Sequence, residues 1–105
     1  MINSLSLFLG GNMGLNEKEI VKRWLSEKMA LNERGRLKIN NITIEIIPNS
    51  VYEYDPSTGI EYQKVIGYRV DAIQRDKKIN IIGGEFNYIN KPEDVIRATL
   101  NFLFS

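Results

Sequence analysis

Residues 42–72 read ITIEIIPNSVYEYDPSTGIEYQKVIGYRVDA. Two runs in which Ile, Val and Tyr alternate with polar residues flank the sequence Asp55-Pro56-Ser57-Thr58-Gly59. Such alternation is the signature of half-buried strands, and Pro followed by Gly is turn chemistry. Taken as a five-residue hairpin loop, that stretch sets Tyr54 opposite Ile60. Counting outward sets Tyr52 opposite Tyr62, Ile46 opposite Tyr68, Ile44 opposite Val70 and Ile42 opposite Ala72. Side chains alternate with period two, so all of these share one face. The other face then pairs Glu45 with Arg69, a favourable cross-strand contact, and Glu53 with Glu61, an unfavourable one. Pro48 is the residue expected to interrupt the ladder.

Upstream, residues 4–9 alternate Leu5, Leu7 and Leu9 with Ser4, Ser6 and Phe8, a short strand pattern broken by Gly10, Gly11 and Gly14. A helix follows, with Asn16 as N-cap and Glu17 and Glu19 in its first turn, where the helix dipole favours acids. Ile20, Val21, Trp24, Leu25 and Leu31 form its apolar stripe, and Gly35 is its expected stop.

Downstream, a turn at residues 75–78 leads into a strand over residues 79–88. Ile79 and Ile81 point one way there and Phe86 and Tyr88 the other, so a bulge at Gly83-Gly84 is needed to restore one apolar face. No Lys-Ser/Thr follows that pair, so a phosphate-cradling loop is disfavoured. The last helix begins near Asn90, with Pro92 in its first turn and Glu93 completing a capping box. Val95, Ile96, Thr99, Leu100, Leu103 and Phe104 form its stripe.

These elements specify an α+β domain, a three- to four-stranded antiparallel meander with two helices packed on one face, in the order β-α-β-β-β-α. The helix–three strands–helix portion resembles the double-stranded-RNA-binding domain over roughly residues 16–104. That family reads RNA through its first helix, a histidine-bearing loop and a basic cluster opening its last helix. Here there is no histidine, and the last helix opens Lys91-Pro92-Glu93-Asp94. The resemblance therefore implies a topology more than an RNA-binding activity.

The 105 residues make one domain, 1–105, with 43% hydrophobic and 26% charged residues, values of a folded chain. The absence of cysteine excludes disulfides and thiolate chemistry. It also suits a reducing compartment, and no stretch approaches the roughly 18 apolar residues of a membrane span, so a cytoplasmic protein is expected. The leaning to Ile, Asn and Lys is that of AT-rich genomes, pointing to a bacterium, phage or mobile element. Fourteen basic and 13 acidic residues give a net charge of +1, without the basic excess usual in proteins that live on phosphate contacts.

Without His or Cys the usual bases, nucleophiles and soft metal ligands are missing. No catalytic residue, resident metal or cofactor is expected. Glu61 and Lys64, and the run Glu17-Lys18-Glu19, have the wrong spacing for a carboxylate nuclease, and no serine sits in a nucleophile motif. The expected site is the hairpin tip: Tyr52, Tyr54 and Tyr62 as an aromatic patch, with Glu53, Asp55 and Glu61 as an acidic knob. Tyrosine suits protein interfaces because it buries area at little entropic cost and keeps a polar end. The leading expectation is a small protein-binding module, an inhibitor or accessory factor of a larger enzyme.

Two other readings stand beside it. A nucleic-acid-binding domain of double-stranded-RNA-binding-like topology would use Arg34, Arg36, Lys38, Arg75, Lys77 and Lys78. A carboxylate and divalent-metal-dependent enzyme would use the tip acids to hold a hard cation. The second sheet face, with Thr43, Glu45, Ile47, Val51, Gln63, Val65, Arg69 and Ile73, carries four aliphatics. Either the N-terminal strand covers part of it, or a homodimer forms through it.

Overall fold

The computed structural model describes residues 16–105. The strand expected at residues 4–9 falls outside them. Helix α1 (Glu17–Leu31) is followed by four strands, β1 (Gly35–Ile39), β2 (Ile42–Asp55), β3 (Ile60–Gln74) and β4 (Lys77–Ile82), and by helix α2 (Pro92–Phe104). The strands form one antiparallel meander in the order β1-β2-β3-β4. This is the expected α+β class, but four strands stand between the helices, one more than in the double-stranded-RNA-binding order.

α1 starts where its cap dictates: Asn16 Oδ1 accepts the Lys18 N–H at 2.7 Å. It ends earlier than Gly35, because Asn32 adopts the left-handed conformation (φ 51°) and its N–H closes on the Lys28 and Met29 carbonyls. Gly35 instead opens β1. Leu31 therefore sits past the packed face and is exposed, while Met29 takes its place in the core. Val21, Leu25 and Met29 of α1 and Val95 of α2 meet Leu37, Ile39, Ile44, Ile46, Tyr68, Val70, Ala72 and Ile82 of the sheet. Both helices cover the same face. No described helix is long and apolar enough to cross a membrane.

The hairpin register differs from the expected one. The loop has four residues, 56–59, and closes on the pair Asp55–Ile60, so the tip is shifted by one residue. Tyr54 lies opposite Glu61, Glu53 opposite Tyr62 and Tyr52 opposite Gln63. A bulge at Ile66 then adds a second residue of shift, giving Ile46 opposite Val70, Ile44 opposite Ala72 and Glu45 opposite Asp71. A two-residue slip leaves every side chain on its expected face, whereas a one-residue slip exchanges faces. The core face of the base is thus as expected, and the tip is rearranged.

Pro48 does not split β2. It lies opposite Tyr68, and β1 has already ended at the pair Gly35–Ile46, so among the described residues no ladder on that edge is there for it to interrupt. The strand expected over residues 79–88 stops at Ile82. Its bulge lies at Ile81, opposite the Val70/Asp71 step, rather than at the glycine pair. Gly83 has φ +87°, and a Cβ there would collide with the Tyr68 carbonyl, so the chain leaves the sheet at this point. Phe86 and Tyr88 are consequently exposed in a loop, not packed on the sheet.

α2 begins one residue later than expected. Lys91 is its N-cap and its N–H donates to Asp94 Oδ2 at 3.3 Å, the role anticipated for Asn90 and Glu93. Asn90 is used otherwise. Its amide accepts the Tyr68 N–H at 2.9 Å and donates to the Tyr68 carbonyl at 2.9 Å, completing the β3 edge where β4 is absent.

Candidate functional site

β2 and β3 have 14 and 15 residues, whereas β1 and β4 have five and six. At about 3.3 Å per residue the long pair runs roughly 45–50 Å, in keeping with the 55 Å long axis. Their short neighbours flank only the basal half. Beyond the bulge, residues 50–65 form a two-stranded arm to which neither β1 nor β4 is paired.

The turn at the end of the arm is built from its own side chains. Asp55 Oδ1 accepts from the Ser57 N–H at 2.9 Å and the Ser57 hydroxyl at 2.7 Å. The Asp55 carbonyl accepts from Thr58 and Gly59, with Gly59 at φ +73°. The Ser57 hydrogen bonds hold the Asp55 carboxyl below its ordinary value. Along the arm, the Tyr62 hydroxyl donates to Glu53 Oε1 at 2.7 Å, Lys64 lies 3.9 Å from Glu53 Oε2, and Gln63 donates to Ser50 Oγ at 2.6 Å. The hydrogen bond to Glu53 and the charge of that carboxylate raise the Tyr62 pKa.

All six expected site residues lie on this arm, but the register divides them. Tyr52, Tyr54 and Glu61 share one face, and Glu53, Asp55 and Tyr62 share the other. Glu53 faces a tyrosine that bonds to it, so the expected Glu53–Glu61 repulsion does not arise. Among the described residues no three of His, Cys, Asp and Glu converge as metal ligands. Tyr52 is 71% exposed, Tyr54 64%, Ile60 60% and Tyr62 46%. The arm carries three acids (Glu53, Asp55, Glu61) against one Lys64, a net charge of −2.

A second exposed apolar group went unforeseen. Phe86 (94% exposed), Tyr88 and Ile89 project from the loop that follows β4. The Asn90 N–H donates to the Ile66 carbonyl, and Asn49 donates to the carbonyls of Gly83 and Tyr88 at 3.2 Å each. These bonds tie the loop to the root of the arm, over Gly67, where a Cβ would strike the Tyr88 carbonyl. A glycine inside a strand run was the available signal. Gly83 donates its N–H to Asn87 Oδ1 at 2.7 Å, so that amide is already engaged within the loop.

The basic groups are distributed as follows. Arg34, Arg36 and Lys38 lie along and just before β1, and Lys78 on β4 falls in the same transverse row as Lys38, through Thr43 and Ile73. Lys77 points to the opposite side, and Arg75 sits in the β3–β4 turn, sharing a hollow with Lys38, Asn41 and Gln74. No family model, curated protein or solved structure matches the chain.

Proposed function

We propose that the chain is a protein-binding module whose contact element is the arm of residues 50–65. The observation that carries this reading is the pairing pattern: a long hairpin whose outer half, among the described residues, has two open strand edges and exposed Tyr and Ile on both faces. A free two-stranded hairpin is marginal in water, and open edges invite strand pairing. A partner strand added to either edge would satisfy the free backbone groups, with the tyrosines supplying anchors. The net charge of −2 selects for a basic or neutral contact surface.

Within this reading the chain is an accessory factor or inhibitor of a larger enzyme, acting by binding rather than by catalysis. A reducing cytoplasm of a bacterium or of its phages and mobile elements suits a cysteine-free chain of this composition. The test is photo-crosslinking in a host lysate with a photoreactive residue at Tyr54, at Tyr62 or, as a control, at Lys22 on α1. Cross-links to the same protein from Tyr54 or Tyr62 and none from Lys22 are expected. Equal labelling from all three positions would remove the arm as the contact. Cross-links only to the chain itself would make the partner a second copy.

A further inference from the structure

The sheet face away from the helices carries a second, separate surface. Arg36, Glu45, Asp71 and Asn80 lie in one transverse row across all four strands. Glu45 and Asp71 are 2% and 1% exposed, although like charges stand directly opposite. They are tolerated because each is bound by cations. Arg36 Nε lies 3.1 Å and Arg34 Nη2 3.4 Å from Glu45 Oε2, and Lys78 lies 3.9 Å from Oε1. Arg69 Nε reaches both Asp71 oxygens at 3.0 and 3.2 Å, and Asn80 donates to Asp71 at 3.0 Å.

The carboxylates grip Arg36 and Arg69 through Nε, and among the described residues no hydrogen bond engages the terminal amino groups of either. A guanidinium held by its side presents its fork outward in a fixed orientation, the geometry that suits phosphate oxygens. The side chains of Arg34, Arg36, Arg69 and Lys78 remain 42–66% exposed. With Lys38 in the adjacent row, five cations face two carboxylates, an excess of +3. The acids Asp76 and Glu85 belong to the turn and loop beyond these rows.

We infer that this face binds the phosphate backbone of a nucleic acid through Arg34, Arg36, Lys38, Arg69 and Lys78. Charge complementarity selects the occupant, and the arm's own −2 lies on the other half of the hairpin. Thr43, Ile47 and Ile73 fill the rest of the face, which among the described residues offers no aromatic platform for bases. Binding is therefore through the backbone and insensitive to sequence. It does not rest on the arm.

The test is fluorescence anisotropy with a short labelled DNA duplex, its RNA counterpart and, as a non-phosphate polyanion, poly-glutamate. Duplex binding is expected, with log K falling by about 3 per decade of salt: two of the five cations are offset by Glu45 and Asp71, and the net three neutralise phosphates at about 0.9 each. Lys38→Gln/Lys78→Gln leaves the Arg–carboxylate contacts in place. It should keep the thermal midpoint, weaken binding about tenfold and lower the salt slope by about two. Tyr52→Ala/Tyr54→Ala should bind as wild type. No duplex binding at low salt, an unchanged Lys38→Gln/Lys78→Gln variant, or equal affinity for poly-glutamate would each overturn the inference.

Discussion

Thr99 is fully buried on α2, and its hydroxyl has no hydrogen-bond partner among the described residues. A buried polar group without a partner costs free energy that an apolar group of the same shape does not. Thr99→Val should raise stability by about 1 kcal/mol in urea unfolding. Asn90 presents the opposite case, because its amide closes both backbone groups of Tyr68 and also donates to the Asn87 carbonyl at 2.9 Å. Asn90→Ala should cost about 2–3 kcal/mol, since it orphans backbone groups on a covered edge. The two carboxylates with lowered pKa act in the same direction. Burial alone would raise the Glu45 pKa, but hydrogen bonds and charge from Arg36 and Arg34 outweigh it and lower it below 4.5. A carboxylate lowered on folding stabilises fully above its unfolded value, and that stability is lost as pH falls through its folded value. Glu45→Gln should therefore flatten the acid limb of a stability–pH profile below about pH 4.5 and cost about 1–2 kcal/mol at neutral pH, a modest figure because its arginine partners are exposed.

At the scale of elements, α1 and the core face of the sheet were legible in the sequence because periodicity survives errors of register. Ile44, Ile46, Val70 and Ala72 occupy their expected face even though the pairing is two residues away from the expected count. The tip was not legible, for the same reason in reverse. Whether four or five residues close a loop around Pro56 and Gly59 depends on which carbonyl the Thr58 and Gly59 amides reach, and one residue exchanges the faces. The bulge at Ile66 and the loop over Gly67 leave only a strand glycine as a trace in the sequence. Gly67→Ala should displace the loop from the root of the arm, costing about 1–3 kcal/mol and speeding hydrogen exchange at Tyr68 and Asn90. Within the arm, protonating Asp55 removes the acceptor of the Ser57 bonds. As pH falls below about 3.8, NMR should report the turn loosening.

The whole molecule divides its charge: −2 on the arm and +3 on the remainder of the chain, which together give the net +1. A near-neutral total thus conceals an acidic, tyrosine-rich projection and a basic sheet face. Composition reports only the sum, so the separation became visible once the strands were paired. One core unites α1, α2 and the base of the sheet, and the arm contributes little to it beyond Val65. The base should therefore fold without the arm. A shortened chain in which an Asn-Gly turn replaces residues 51–64, joining Ser50 to Val65, isolates the arm's contribution. Capture from a host lysate with this chain, beside the full chain, tests the proposed role directly. Binding through the arm predicts that the shortened chain keeps its circular dichroism and cooperative unfolding while losing the partner held by the full chain. Recovery of the same partner in equal amount by a folded, armless chain would contradict it.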